Sequence, residues 1–316
     1  MNGKKVFITG GAGFIGSNLC DELLNYCYVT VYDNLSTGRE EFLKDAKKSP
    51  KFKFIHGDVS DYTHLKKSME GHDFVFHLSA NPDVRIGVSG GQIHFRENVE
   101  NTFKVLEAMR ELGIRYIAFA STSTVYGLAE ILPTPENYGP NLPISIYGGS
   151  KAACEAMISA YTHTYDFTQT FIFRFANIIG KRSTHGVIYD FINKLKKDPK
   201  RMEILGDGKQ NKSYLHISDC IGAMLHVIAK APARVSIYNI GSSDSVDVLT
   251  IAKITAEEMG LKEVEFQFAI QPGGGGWKGD VPRMALSIEK IKALGWQPTL
   301  NSSEAVRQTV KELLFR

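Results

Sequence analysis

The 316-residue sequence predicts a doubly wound α/β fold, a parallel sheet covered by helices on both faces, with a smaller, partly interleaved C-terminal domain. Three observations point there. Short β-rich runs alternate with longer helical patterns through the first half. The first of those runs feeds straight into a glycine cluster, and the alternation loosens after Asn177.

In order, the strands read as Lys5 to Thr9, Tyr28 to Tyr32, Lys53 to His56, Phe74 to Leu78, Arg115 to Ala120 and Thr170 to Phe175. The helical patterns between them cover Phe14 to Asn25, Thr63 to Met69, Asn98 to Leu112 and Tyr147 to Tyr165. Beyond Asn177 come a Gly- and Lys-rich loop from Leu205 to Lys212, a helix near Ile217 to Ala229, a strand ending at Ile240, and a glycine tract from Pro272 to Gly276. The expected division is residues 1–176 with 214–240 in the first domain, and 177–213 with 241–316 in the second.

With 43% apolar residues the chain can bury a sizeable core, and a net charge of +3 with scattered basic residues gives no footprint for nucleic acid. Cys20, Cys27, Cys154 and Cys220 show no CxxC pair, and the histidines show no HExxH spacing, so the reading is free thiols, no metal site and a reducing compartment. The start MNGKKVFITGG lacks a signal-peptide pattern and no apolar run spans a membrane, which places the protein in the cytoplasm.

The run GGAGFIG puts Gly10, Gly13 and Gly16 at the turn from the first strand into the first helix. Without side chains there, backbone can approach a pyrophosphate, whose charge the N–H groups of the helix start receive. Asp33 closes the next strand about twenty residues on, the spacing of a Rossmann dinucleotide site. A carboxylate there accepts from both ribose hydroxyls and repels a 2′-phosphate, so NAD is expected over NADP. Asp58 and Val59 follow the third strand, and Leu78, Ser79 and Ala80 close the fourth on the cofactor edge.

YGGSK sets Tyr147 and Lys151 four residues apart, on one face of a helix. A phenol is a poor base at neutral pH, but a cation beside it favours the phenolate. The fifth strand ends in STSTVYG, so Thr122 and Ser123 fall at the carboxyl edge where ligands of open α/β sheets bind. Tyr147 is the candidate proton carrier, Lys151 its tuner, and Thr122 the hydrogen-bond partner of the reacting oxygen.

The motifs TGGAGFIGS, YDNLSTG, GDVSD, HLSAN, ENVENTFKVLEAM, STSTVYG, YGGSK, FRFAN and YNIG, in this order, resemble the extended short-chain dehydrogenase/reductases, specifically nucleotide-sugar epimerases of the UDP-glucose 4-epimerase type. The resemblance covers nearly the whole chain. It implies NAD-dependent inversion at C4 of a hexose through a 4-keto sugar. It adds Phe14, Ile15, Asn34, Ser36, Gly38, Asn98 and Phe173 to the cofactor set. For the nucleotide sugar, a UDP-hexose, it implies Asn177, Val187, Tyr189, Lys212, Trp277 and Asp280, and it implies a homodimer built on the helices containing Asn98 to Leu112 and Tyr147 to Tyr165.

Departures occur at Lys212 and Trp277, where the family commonly carries arginines, and Met284 sits where side-chain size bears on an N-acetyl group. The rival reactions are 4,6-dehydration and UDP-uronate epimerisation or decarboxylation. The non-enzymatic rival is an NAD-binding sensor or scaffold. Dehydratases carry an Asp-Glu pair after the central threonine, whereas this chain has Ser123 and Thr124.

Overall fold

The computed structural model describes residues 1–88, 90–270 and 283–315. The chain forms two units: residues 1–127, 139–174 and 227–238 make the first, and residues 128–138, 175–226 and 239–316 the second. Trp277 and Asp280 lie outside the described residues.

The first unit begins with β1 (Lys5–Thr9), α1 (Phe14–Leu23), β2 (Tyr28–Asp33), β3 (Phe52–His56), α2 (Tyr62–Met69) and β4 (Phe74–His77). Then follow the short α3 (Gln92–His94), α4 (Asn101–Leu112), β5 (Tyr116–Thr122), α5 (Ile146–Thr164) and β6 (Gln169–Phe175). Strand β11 (Val235–Ile240) returns from later in the chain to close a seven-stranded parallel sheet ordered β11-β6-β5-β4-β1-β2-β3.

The chain thus starts in the middle of the sheet, runs outward through β2 and β3, and crosses back to β4 on the other side of β1. The order reverses between β1 and β4, which opens a crevice at their carboxyl ends. Register aligns those ends, because Thr9 pairs with Tyr32 on one side and His77 on the other. Phe7, Tyr32, Leu65, Met69, Leu106, Phe119 and Ile158 belong to one core cluster. Each such side chain contributes roughly 1.5–3 kcal/mol by leaving water.

The strand and helix positions of this unit follow the pattern read from the sequence, with two differences that bear on the site. The helix expected from Asn98 is preceded by α3 and a π-helical turn, Phe95–Glu100, before regular α4 begins at Asn101. Strand β5 runs to Thr122 rather than Ala120.

In the second unit, β7 (Asn177–Ile179), α6 (Val187–Lys197), β8 (Arg201–Leu205), β9 (Asn211–Lys212), β10 (Tyr214–His216) and α7 (Ile217–Lys230) precede β11. After it come β12 (Val246–Asp247), α8 (Val248–Glu258), β13 (Glu265–Ala269), β14 (Arg283–Met284), α9 (Glu289–Lys292) and α10 (Ser302–Leu314). Ile188, Phe191, Ile251, Val306 and Val310 from α6, α8 and α10 share a second core. A capping box between Asn301 and Glu304 starts α10.

Segment 128–138 and residues 214–226, both expected in the first domain, group with this unit. Asn239 accounts for part of that grouping by donating to the Thr134 and Ser287 carbonyls at 2.9 and 3.0 Å. Such side-chain clips leave no periodic mark in a sequence.

Gly10 and Gly113 both hold φ +70, but a Cβ on Gly10 would lie 2.6 Å from the Ser79 amide nitrogen whereas Gly113 has open space around it. Gly113→Ala is therefore expected to cost only the left-handed backbone penalty of about 1 kcal/mol, and Gly10→Ala at least about twice that. Urea denaturation midpoints of the two variants check the difference.

Candidate active site

At the β1–α1 turn, Gly10 donates its amide to the Tyr32 carbonyl and Gly13 donates to the Gly10 carbonyl. Helix α1 starts at Phe14 on an extended Gly13, with no side-chain cap and no acidic residue in its first turn. The first N–H groups of a helix have no intrahelical acceptor, so this end is built to receive an anion. Gly16 sits against the Gly10 carbonyl, with no room for a side chain, and Phe14 and Ile15 are half-buried.

Asp33, at the end of β2, is buried and accepts from the Ala12 amide at 2.9 Å and the Leu35 amide at 2.8 Å. Burial raises its pKa, and those two amides pull it back. Each carboxylate oxygen keeps a second lone pair, so the group remains able to accept from a diol. Gly38 passes directly beside it. Next to it Asn34 donates to Asp58 at 2.7 Å and accepts from the Ser36 amide, which joins the loops after β2 and β3. Among the residues expected to touch a dinucleotide, Val59 belongs to the core cluster and Phe173 is fully buried.

Across the switch point, Leu78 donates its amide to the Thr9 carbonyl, and Ser79 donates its hydroxyl to Thr9 Oγ1 at 3.1 Å; Ala80 follows, half-buried. His77 beneath them is wholly buried, its ring nitrogens 2.8 Å from Thr9 Oγ1 and 2.9 Å from Thr102 Oγ1. Burial first, and the Lys151 charge second, push its pKa down to about 3, so the ring is neutral.

Ser145 caps α5 by accepting from the Gly148 amide at 3.1 Å, which fixes the helix start and puts Tyr147 in its first turn. Thr122, the last residue of β5, is close enough to the Tyr147 phenol to lower its pKa. Lys151, one turn further along α5, is buried and donates to the Ala120 carbonyl at 2.8 Å, with its ammonium 4.7 Å from the centre of the Phe119 ring. The three residues singled out for the chemistry are thus gathered at the junction of β5 and α5.

Their electrostatics differ from the expectation in one respect. Burial pushes the Tyr147 phenol up to about 12, against the lowering effect of Thr122. Burial also pushes Lys151 down to about 8, against the raising effect of Cys154 and Glu155. Desolvation thus dominates the phenol's shift, and the lowering by the Lys151 ammonium expected from spacing is not among its causes.

Asn98, an expected cofactor ligand, lies in the π-helical turn and is 1% exposed. It accepts from the Asn81 amide at 2.8 Å and donates to Ser150 Oγ at 2.9 Å, and Ser150 donates to the Tyr147 carbonyl at 2.7 Å. It therefore braces the loop after β4 against the first turn of α5. Three groups went unread in the sequence. His94 is buried with its ring centre 5.8 Å from the Tyr147 ring centre in an edge-on arrangement, and Glu155 and Arg174 form a buried ion pair behind Ser121. Glu155 lies eight residues after Tyr147 on the same helical face, a signal that was available.

Ser123 opens the 3-10 turn that follows Thr122. In the second unit, Asn177 donates its side-chain amide to the Ser213 carbonyl at 3.1 Å, and Lys212 lies on β9 between β12 and β14. Val187 begins α6 and packs against the second core, with Tyr189 half-buried two residues on. No group of residues suited to a metal ion occurs among the described residues, and no described helix is long and apolar enough to cross a membrane. All four cysteines are buried free thiols.

Residues 6–241 match the NAD dependent epimerase/dehydratase family. A putative UDP-glucose 4-epimerase of Methanocaldococcus jannaschii is 32% identical over 96% of this chain and 97% of its own length. A crystal structure of a UDP-galactose 4-epimerase is 41% identical, with a TM-score of 0.87 over 98% of this chain and 99% of that one. A dTDP-D-glucose 4,6-dehydratase of Mus musculus is also similar, 29% identical over 98% of this chain and 88% of its own. With the glycine turn, Asp33, and the Thr122, Tyr147 and Lys151 cluster on a parallel doubly wound sheet, the chain belongs to the NAD dependent epimerase/dehydratase family.

Proposed function

We propose that this protein inverts C4 of a nucleotide-linked hexose, a UDP-hexose of the glucose/galactose type, through a transient 4-keto sugar and with no net redox change. The observation that carries this reading is the hydroxyl turn after β5. Thr122 Oγ1 accepts from both the amide and the hydroxyl of Thr124 at 3.2 Å, beside the Tyr147 phenol whose pKa it lowers. Expulsion of water requires a carboxyl proton relay at positions 123 and 124, and Ser123 and Thr124 offer only hydroxyls.

In this reading Tyr147 takes the proton from O4 and later returns it, and Thr122 hydrogen-bonds O4 and fixes its direction. Lys151 keeps its charge behind the phenol and holds the ribose nearest the reaction. Bound NAD supplies the hydride acceptor and, when oxidised, a positive charge that favours the phenolate. Asp33, with the open amides of α1, holds the adenosine ribose and pyrophosphate, and the Asn34 and Asp58 loops flank the adenine. Asn177, Val187, Tyr189, Lys212, Trp277 and Asp280 bind the nucleotide diphosphate, with Lys212 acting as a point charge. Exposed Phe95 and Phe103, on the π-helical turn and α4, support a homodimer through this face and α5.

Tyr147→Phe keeps the ring and removes the proton carrier. Its kcat is expected to fall at least about 10³-fold while bound NAD, identified after denaturation, stays stoichiometric. The parent, offered UDP-, dTDP- and GDP-hexoses and UDP-glucuronic acid without added cofactor, is expected to interconvert UDP-glucose and UDP-galactose with no rise in NADH absorbance. Loss of water, release of carbon dioxide, or turnover of only the uronate would reassign the reaction. Sedimentation equilibrium is expected to return twice the 35.1 kDa chain mass; a monomer mass removes the dimer.

A further inference from the structure

We infer that Glu155 and Arg174, linked through Ser121, are positioning residues that set the distance between the Thr122 hydroxyl and the Tyr147 phenol. This rests on the reading of those two groups as the proton-transfer pair. Tyr147, Lys151 and Glu155 follow at four-residue steps along α5 and so share one helical face. The Glu155 carboxylate is met by Arg174 Nε at 3.0 and 3.2 Å and by Nη2 at 2.7 Å, with the two side chains 8% and 4% exposed. Ser121, adjacent to Thr122, donates its hydroxyl to Glu155 Oε1. The Arg174 guanidinium lies 4.7 Å from the centre of the Tyr126 ring, in the 3-10 turn directly after Thr122.

One buried cluster therefore touches α5, the end of β5, the turn that follows it, and β6. Those first three segments carry or flank Tyr147 and Thr122. The forked guanidinium fixes both distance and angle to the carboxylate, which a single-point contact does not. Stability alone does not explain such a pair, because desolvating two charges costs several kcal/mol per ion, and well-packed apolar replacements are often as stable. Its distinctive contribution is a rigid polar link to the Ser121 hydroxyl. Glu155 additionally opposes the loss of the Lys151 proton on burial.

Two variants test this, Glu155→Leu/Arg174→Met and Ser121→Ala, each compared with the parent on whichever nucleotide hexose the parent turns over. The double variant is expected to melt no lower than the parent, to retain its NAD, and to lose at least tenfold in kcat with KM within twofold. Ser121→Ala, with the ion pair intact, is expected to lose about fivefold in kcat at unchanged KM. Crystal structures of both are expected to show the separation of the Thr122 hydroxyl and the Tyr147 phenol changed by at least about 0.5 Å from the parent's. A kcat within twofold of the parent in both variants, or an unchanged Thr122–Tyr147 separation in both, overturns the inference. If the double variant does not fold, Ser121→Ala decides by the same readouts. If the parent turns over no nucleotide sugar, the proposed function fails and the crystal structures alone decide the inference.

Discussion

The hydrogen bond from the Lys151 ammonium to the Ala120 carbonyl, 2.8 Å long, is the contact on which the rest of the site depends. It joins the second turn of α5 to the strand that ends in Thr122, so it fixes the helix start relative to the strand end. A buried cation persists only where its charge is compensated. The Ala120 carbonyl, the Phe119 ring face and the Glu155 charge do this, and burial still leaves Lys151 down at about 8. His77, buried near the same charge, is neutral and adds no second cation.

Around that contact the first unit divides into two polar environments. On the dinucleotide side, charge and amides remain available: α1 begins uncapped, and Asp33 accepts only two backbone bonds. Toward Tyr147, side chains are largely committed to each other, as in the sequence Asn81, Asn98, Ser150, Tyr147. The first arrangement receives a ligand. The second holds the backbone of Tyr147 in place. A π-helical turn is what brings Asn98 to its place in that sequence, consistent with the frequent use of such bulges at functional sites.

The family encompasses epimerases and dehydratases on one fold, so the fold does not select the reaction. The chemistry of two positions in a single turn bears on it far more. Ser123 and Thr124 leave the turn without a carboxyl group, and Thr124 uses its hydroxyl on Thr122.

The parallel sheet, the positions of its first six strands, the glycine turn with Asp33, and the placing of Tyr147 and Lys151 on one face were all legible in the amino-acid order. Each depends on local periodicity or on a fixed short spacing, which a linear string records directly. Tertiary structure decided what depends on burial and on distant partners. It pushed the Tyr147 phenol up instead of down, put Phe173 and Val59 in the interior, occupied Asn98 as a brace, moved segment 128–138 into the second unit, and paired Glu155 with Arg174. The physical reason is that desolvation and side-chain hydrogen bonding are set by which atoms surround a group in three dimensions, and those atoms come from residues tens of positions away.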